Sequence, residues 1–429
     1  MHARPRMTDI RGTHVAAIVQ NVSLAGDNRL CKQVEALCSA GCRVSVITRR
    51  DEANEPWRSH PGLTLLEYRA PVDGASAAGH VREYAASLAR QIPRLVQLHL
   101  RHRIDVLQIC QPPDLYFPMA ALARRLGVLV LLDQRDLMPE TFAQRYSSAP
   151  ARAMKVLHWL ETRTQAHVDA TVTVNDYLRD RLIAAGGVPE RIHVVGNGPV
   201  LDRLDRARAT PHLPIPAQVR QNFSSVVTWA GKMGRQDRVD DVVRVAERVV
   251  HEWGRDDVGF VLIGNGECLD ELRLMVDELG LRENVWFPGW LSEADLYRHL
   301  AAADIGVDTS LQPEVTPVKA LEYLGFGLPL VAYDVHETRR LAEGAGVLVA
   351  PGDVEALAHE LVRLLDDPTE RARLGRVGSD RVRLHLAWER QSEVYLKTVA
   401  RMITTGTSMS GVPSRQSPAA ARTDRPSGP

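Results

Sequence analysis

Short apolar runs alternate with amphipathic helical patterns along most of this chain. The first half contains HVAAIVQ (14–20), RVSVITR, DVLQIC (105–110) and VLVLLD (128–133), each followed by a helical stretch. Uninterrupted apolar strands with helical connections are typical of parallel sheets whose two faces are both covered. The same pattern restarts after residue 222 with SSVVTWAG, VGFVLIG, NVWFPG and LPLVAY. The sequence therefore predicts an α/β protein with two doubly wound, Rossmann-like domains.

The domain boundaries follow from changes in composition. Residues 1–200 are predicted to form the first domain, and the Pro- and Arg-rich residues 201–222 a linker. Residues 223–382 are predicted to form the second domain, followed by a helix over 383–403. Residues 404–429 are rich in Ser, Pro, Ala and Arg, a composition typical of disorder. A chain of 429 residues is long enough for two hydrophobic cores.

Charge and cysteine content exclude several classes of function. The formal net charge is zero, which argues against bulk nucleic-acid binding, but residues 1–200 hold 25 Lys and Arg against 19 Asp and Glu. This basic first half predicts an anionic acceptor or contact with a membrane surface, with a chance distribution as the alternative. The sequence contains neither Cys-x-x-Cys nor His-Glu-x-x-His. We therefore expect free thiols in a reducing compartment, a cytoplasmic location and no bound metal.

Polar residues follow the predicted strands of the first half. Ligands of doubly wound sheets bind beyond the carboxyl ends of the strands, so these residues are candidates for a ligand-binding site. A helix cap is the alternative interpretation for Asp114, and for Asp136 in the segment QRDLMPE. The candidates at these strand ends are Asn21, Asp27, Arg29, Asp114, Arg135, Asp136, Glu140 and Asn175.

The segment DIGVDTSLQPEVTPVKALEYLGFGLPLVAYD is predicted to form a strand, a loop, a helix and a second strand. Thr316 is expected to cap the helix, with Pro317 as its first residue, because proline has a preset φ and no N–H to leave unpaired. Lys319 then lies near the helix N-terminus, where backbone N–H groups and the helix dipole favour an anion.

Two carboxylates are expected to flank this cation. Glu314 lies on the loop and Glu322 on the helix, three residues after Lys319 and on the same face. Phosphate at the helix N-terminus and hydroxyls on carboxylates are what a nucleotide-sugar requires. A surface helix with a solvated Lys–Glu pair is the alternative interpretation.

Two pairs of glycines follow strands of the second half. They are Gly231 with Gly234 and Gly264 with Gly266. Small residues allow the backbone to approach a phosphate, and Lys232 and Arg238 supply positive charge beside it. An ordinary strand–turn–helix connection explains the same pattern. The sequence lacks the third glycine of a dinucleotide fingerprint and the Gly-Lys-Ser/Thr of a P-loop, so neither NAD nor P-loop binding is predicted.

The series GKMGRQDRVDD, FVLIGNGE, VWFPGWL and PEVTPVKALEYLGFGLPLVAYD resembles family 4 of the glycosyltransferases. VQNVSLAGDNRL, CQPPDLYF and DQRDLMPE are similar to its bacterial branch with a D-L-x-P-E motif. The resemblance spans about residues 13–400. It implies a GT-B fold, in which two Rossmann-like domains face one cleft and the last helix returns to the first domain. It also implies transfer of a sugar from a UDP- or GDP-linked donor to a hydroxyl acceptor, with retention and without a metal.

The resemblance assigns roles to individual residues. Lys232 and Arg238 would neutralise the diphosphate leaving group, Glu314 would hold hydroxyls of the donor sugar, and Glu322 the ribose. The backbone from Pro288 to Leu291 would bind the base. The full donor set is Gly231, Gly234, Gly264, Gly266, Pro288, Gly289, Trp290, Leu291, Thr316, Pro317, Lys319 and Glu322. Asn21, Asp27, Arg29, Asp114, Arg135, Asp136 and Glu140 would face the acceptor, a lipid-linked glycan or a small metabolite.

Two other functions fit the same architecture. A nucleotide-sugar epimerase needs no acceptor, and a regulatory protein binds the nucleotide-sugar without turnover. The presence of both glutamates and both cations favours an enzyme. The basic first half adds possible peripheral contact with the inner face of the membrane.

Overall fold

In the computed structural model, two parallel β-sheets form the centres of two domains. The structure describes residues 9–71, 77–112, 116–145, 151–209 and 223–410. The first sheet has seven strands in the order β3-β2-β1-β4-β5-β6-β7, so the chain reverses its direction across the sheet between β1 and β4. Its strands are β1 (His14–Ile18), β2 (Arg43–Arg49), β3 (Leu63–Tyr68), β4 (Val106–Cys110), β5 (Leu129–Gln134), β6 (Ala170–Thr173) and β7 (Ile192–Val194).

The second sheet repeats this arrangement with six parallel strands. Their order is β10-β9-β8-β11-β12-β13, with the reversal between β8 and β11. The strands are β8 (Ser225–Lys232), β9 (Val258–Asn265), β10 (Val285–Gly289), β11 (Ile305–Asp308), β12 (Leu330–Tyr333) and β13 (Gly346–Val349). The predicted fold of two doubly wound, Rossmann-like domains is confirmed.

Helices connect the strands and cover the faces of the sheets. Those of the first domain are α1 (Asn28–Ser39), α2 (Glu55–Arg58), α3 (Ala77–His102), α4 (Phe117–Arg125), α5 (Met138–Arg145), α6 (Ala151–Gln165) and α7 (Asp176–Ala184). α8 (Leu201–Ala209) connects the domains. The remaining helices are α9 (Val239–Glu247), α10 (Leu269–Glu278), α11 (Glu293–Ala302), α12 (Val318–Gly325), α13 (His336–Ala342), α14 (Val354–Asp366), α15 (Pro368–Arg381) and α16 (Trp388–Ser410).

The central strands are buried on both faces, as their continuous apolar sequences require. All five residues of β1 are buried, as are all four of β11. Val15 and Ala17 belong to a cluster with α1 on one side of the first sheet, whereas Ala16 and Ile18 pack towards α3 on the other. Both sides of one strand therefore enter hydrophobic cores, which is the arrangement that favours parallel pairing.

The last helix, α16, returns to the first domain. Its Tyr395 and Val399 are fully buried in the core of that domain, and the Tyr395 hydroxyl donates to Gln108 on β4. The predicted return of the chain is confirmed. The helix continues to Ser410, so the prediction of disorder from residue 404 is wrong for its first seven residues. Residues 411–429 lie outside the described part of the chain.

The predicted linker, residues 201–222, begins with a helix. α8 buries Leu204 in the core of the second domain. Arg203 on this helix pairs with Glu293 of the second domain at 3.0 Å and with Glu35 of the first domain at 3.5 Å. The connection therefore has a folded part that contacts both domains, while residues 210–222 lie outside the described ranges.

Candidate functional site

The carboxyl ends of the second sheet enclose a cavity of about 330 Å³, which we call the donor cavity. It lies where the strand order reverses between β8 and β11, the position at which doubly wound sheets bind ligands. Eight of the predicted donor residues line it: Gly231, Gly264, Trp290, Leu291, Thr316, Pro317, Lys319 and Glu322. Gly234, Gly266, Pro288 and Gly289 are not part of the wall that the described residues form.

Glycine at 264 is required by the close approach of two strand ends. Gly264 has a φ of +140°, and a Cβ there would lie 1.8 Å from the carbonyl oxygen of Gly231. A Cβ at Gly266 would lie 2.4 Å from the carbonyl oxygen of Met233. No side chain fits in either space, so these glycines let the ends of β8 and β9 and the residues just after them pack backbone against backbone. Local packing therefore accounts for both positions without a ligand.

Glu322 forms part of the cavity wall from the helix α12. The Tyr297 hydroxyl donates to its Oε1 at 3.5 Å. Burial, followed by repulsion from the Glu293 carboxylate, raises the pKa of Glu322 to about 8, although Lys32 and Tyr297 act in the opposite direction. Burial in turn lowers the pKa of Lys32 to about 8. Near neutral pH, the raised pKa favours the protonated form of the Glu322 carboxyl.

Lys319 is held by two aspartates rather than by the two glutamates predicted from the sequence. Its Nζ lies 3.2 Å from Oδ1 of Asp308 and 3.4 Å from Oδ1 of Asp237. It also lies 4.3 Å from the ring centre of Trp229. Asp308 is fully buried at the end of β11, and a buried carboxylate needs a charge partner. The prediction that Glu314 and Glu322 flank this cation is therefore wrong.

The helix that carries Lys319 begins one residue later than predicted. α12 starts at Val318, and Pro317 takes the capping position without a side-chain hydrogen bond. Thr316 is therefore not the cap. Its hydroxyl instead accepts a hydrogen bond from Nδ2 of Asn175 at 2.9 Å and lies 3.5 Å from Oε2 of Glu337.

Neither Lys232 nor Arg238, the two predicted phosphate-binding cations, lines the donor cavity, although each directly follows a residue that does. Lys232 is the last residue of β8 and its side chain is exposed. Arg238 adopts a left-handed backbone conformation with a φ of +50°. Its guanidinium donates to Asp241 at 2.7 Å and lies 3.4 Å from Asp240. The Lys232 ammonium is thus more accessible to a ligand than the Arg238 guanidinium, which two aspartates hold.

A second cavity of about 390 Å³ lies between the two domains, and we call it the interdomain cavity. Arg135, Asp136 and Glu140 line it from the first domain, opposite Glu314 from the second. The resemblance assigned Glu314 to the hydroxyls of the donor sugar, and the structure places it in the wall of the interdomain cavity, opposite the acceptor-side residues. The two cavities share part of their walls, formed by Val315, Thr316 and Val318.

Asp27 and Arg29 do not line the interdomain cavity; they lie behind its wall and contact residues that include Arg135 and Asp133. Both are buried, and Asp27 caps the helix α1 by accepting from Leu30 N. Arg29 pairs with the buried Asp133 at 2.9 Å, and Arg135 lies 3.0 Å from Asp133 and 2.5 Å from Asp27. Burial alone would raise the pKa of Asp133, but the two guanidiniums lower it below its ordinary value.

These contacts correct the prediction that Asp27 and Arg29 face an acceptor. Asp27 and Asp133 hold Arg135, which does line the cavity, and Arg29 pairs with the same Asp133. Asn21 is exposed just after β1, and its carbonyl accepts from Arg49 at 3.0 Å. Asp114 lies outside the described residues.

The sequence interpretation missed three residues of the site and the interdomain role of a fourth. The missed residues are Trp229, Asp237 and Asp308, and the contact that was not foreseen is that of Asn175 with the second domain. Asp308 ends the apolar run IGVD directly before the loop, so its position at a strand end was an available signal. Asn175 was recognised only as a residue that follows a strand.

The described residues contain neither a cluster of potential metal ligands nor a helix that could span a membrane. Among residues 9–71, 77–112, 116–145, 151–209 and 223–410, no group of three or more His, Cys, Asp or Glu could hold a metal ion. No helix in these ranges has both the length and the hydropathy that crossing a bilayer requires.

Both halves of the chain match known protein families. Residues 27–198 match the family described as "Glycosyl transferase 4-like domain", and residues 224–367 match "Glycosyl transferases group 1". A similar curated protein is the alpha-D-kanosaminyltransferase of Streptomyces kanamyceticus, which is 26% identical over 55% of this chain. The match spans 60% of that protein's own length.

Solved structures share the same two-domain architecture. Sucrose-phosphate synthase from Thermosynechococcus elongatus superposes with a TM-score of 0.71 at 19% identity, over 92% of this chain and 99% of that one. HepE from Anabaena, solved with UDP and glucose, gives a TM-score of 0.69 at 17% identity, over 91% of this chain and all of that one. The fold is GT-B.

Proposed function

We propose that this chain, whose two halves both match glycosyltransferase domain families, transfers a sugar from a nucleoside-diphosphate donor to a hydroxyl acceptor. The observation that carries the proposal is the pair of adjoining cavities. One lies within the second domain and the other between the domains, and Val315, Thr316 and Val318 belong to both walls. A donor in the first cavity can therefore present its sugar to an acceptor in the second.

The donor cavity offers a contact for each part of a nucleotide. Trp290 at its wall is 72% exposed and presents an aromatic face on which a base can stack. Glu322 offers oxygens to the ribose hydroxyls, and the segment from Gly231 to Lys232 approaches the diphosphate. Glu314 then faces the sugar from the interdomain cavity. We infer a UDP- or GDP-linked donor.

The acceptor enters the interdomain cavity from the first domain. Asp136 and Glu140 offer carboxylates to hydroxyl groups, and Arg135 offers a guanidinium to an anionic group. Glu140 is also paired with Arg181 at 2.8 Å. A lipid-linked glycan or a small hydroxylated metabolite suits this wall. Peripheral membrane contact and a cytoplasmic location rest on sequence composition alone and stay predictions.

We further assign the chain to family 4 and to a retaining reaction. The bond between the sugar C1 and the phosphate oxygen breaks, and a bond from C1 to the acceptor oxygen forms on the same face. The acceptor proton passes to the departing diphosphate. Lys232 neutralises the charge that develops on this leaving group, and Arg238 adds a second positive charge nearby. Preorganised cations stabilise transition states in this way.

Turnover should not depend on a divalent metal. The Lys319 ammonium lies between the carboxylates of Asp237 and Asp308, where it compensates the charge that a cation would otherwise compensate. We expect the initial rate of transfer to be unchanged after treatment with EDTA. A loss of activity that only Mg²⁺ or Mn²⁺ restores would contradict this prediction.

Mass spectrometry with a panel of nucleotide-sugars tests the proposed function. Each donor is incubated with the full chain, alone and with hydroxylated acceptors, and the products are followed over time. We expect one donor to release its nucleoside diphosphate slowly without acceptor and faster with one. Interconversion of donors without transfer would instead indicate an epimerase, and binding without any turnover would indicate a regulatory protein.

A further inference from the structure

Asn175 connects the two domains at the boundary between the two cavities. We propose that this residue of the first domain is a positioning residue, which holds the donor loop (residues 309–317) of the second domain in place for sugar transfer. The inference rests on the proposed function, because the donor loop carries Glu314, the residue we expect to contact the donor sugar.

The Asn175 side chain forms three hydrogen bonds, one through its amide oxygen and two through its amide nitrogen. Its Oδ1 accepts from Leu178 N at 2.8 Å and thereby caps the helix α7. Its Nδ2 donates to the carbonyl oxygen of Glu314 at 2.8 Å and to Oγ1 of Thr316 at 2.9 Å. The orientation of the amide is fixed, because a backbone N–H requires the oxygen and a carbonyl requires the nitrogen.

The contact continues into the second domain beyond the donor loop. Thr316 Oγ1 lies 3.5 Å from Oε2 of Glu337, which is fully buried and pairs with Arg340 at 2.9 Å. The rings of Tyr177 and His336 lie 5.7 Å apart beside this network. The donor loop is therefore held between α7 of the first domain and α13 of the second.

A capping role alone does not require asparagine. Serine, threonine and aspartate also accept a hydrogen bond from the third residue of a helix. Only an amide side chain combines that acceptor with two donors, and both donors of Asn175 are used on the donor loop. Since Asn175 is fully buried, water does not replace these bonds. The residue type is thus explained by the loop rather than by the helix.

Asn175→Ser separates the two roles. Serine keeps the helix cap but is too short to reach Glu314 and Thr316, so α7 should stay capped, while the loss of two buried hydrogen bonds should lower the melting temperature moderately. We expect kcat for transfer to fall roughly tenfold, the effect of losing two neutral hydrogen bonds. The affinity for UDP or GDP should be unchanged, because Glu322 and Trp290 are not affected. Asn175→Asp, which places a carboxylate against the Glu314 carbonyl, should lower kcat further.

Hydrogen exchange provides a readout that does not depend on turnover. Amides of residues 309–317 should exchange faster in Asn175→Ser than in the wild type. Asp353→Ala is the matched control, because the Asp353 carboxylate caps the helix α14 by accepting from Ala356 N. This substitution should lower stability without changing exchange in the donor loop. Unchanged exchange and unchanged kcat in Asn175→Ser would refute the proposal. If the wild type transfers no sugar, the proposed function fails, and the exchange experiment still decides whether Asn175 holds the loop.

Discussion

Lys232→Ala should lower kcat by about a hundredfold to a thousandfold, the usual effect of removing one group that stabilises developing negative charge. The side chain is exposed at the end of β8, so the substitution should leave the fold intact. The diphosphate gains charge as the bond to the sugar breaks, so Lys232 acts mainly in the transition state. We therefore expect the affinity for the nucleoside diphosphate to change much less than kcat.

Two further lysine variants make this experiment specific. Lys232→Arg keeps the positive charge and should restore most of the lost rate. Lys397→Ala removes another exposed lysine, paired with Glu393 on the last helix, and should leave kcat unchanged. A Lys232→Ala enzyme whose kcat lies within a few-fold of the wild type would remove this residue from the mechanism. Initial rates at saturating donor and acceptor are the measurement.

The architecture was accessible from the sequence because it depends on local patterns. Apolar runs without polar interruption can only be buried on both faces, and the halving of the pattern indicated two sheets. The strand ends followed directly, so Gly231 and Gly264 were correctly placed near one cavity. The rule that ligands bind at carboxyl ends of strands needs no side-chain coordinates.

The detailed pairing of charges was not accessible in the same way. Lys319 and Glu322 share a helix face, yet Lys319 pairs with Asp308 at the end of the neighbouring strand, because that buried carboxylate needs a cation. Thr316 was predicted to cap a helix, but its hydroxyl contacts Asn175, which belongs to the other domain. Contacts across a domain interface leave no periodic pattern in the sequence.

The end of the last helix illustrates the same limit. Composition predicted disorder from residue 404, but the helix continues to Ser410. Met402 is buried in the first-domain core, and Gly406 approaches Leu129 so closely that a Cβ would lie 2.9 Å from its side chain. Tertiary packing thus extends a helix that intrinsic propensity would have ended earlier.

Binding of nucleoside diphosphate should be coupled to the release of a proton from Glu322. Its pKa is raised from 4.5 to about 8 by burial and by Glu293, so the carboxyl is mostly protonated at pH 7 without ligand. Between pH 4.5 and about 8, Glu322 is protonated in the native state and ionised in the unfolded state. The free energy of unfolding should therefore fall as pH rises through this window, and Glu322→Gln should remove this part of the slope.

The affinity should change in the opposite direction. Ribose hydroxyls donate hydrogen bonds to the ionised carboxylate, so binding of UDP or GDP should tighten as pH rises towards 8 and level off above it. Calorimetry at pH 7 in two buffers of different ionisation enthalpy should detect release of up to one proton. The same experiment on Glu322→Gln should detect none from this site.

Glu322→Gln should weaken nucleotide binding about tenfold to a hundredfold at high pH, because it replaces charge-assisted hydrogen bonds to the ribose. The difference from the wild type should shrink below pH 7, where the wild-type carboxyl is itself protonated. Asp136→Asn, in the interdomain cavity, is the contrasting variant. It should raise the acceptor KM and spare nucleotide binding at every pH. Equal weakening by the two variants would contradict the division into a donor cavity and an acceptor side, because it would place Asp136 in contact with the nucleotide.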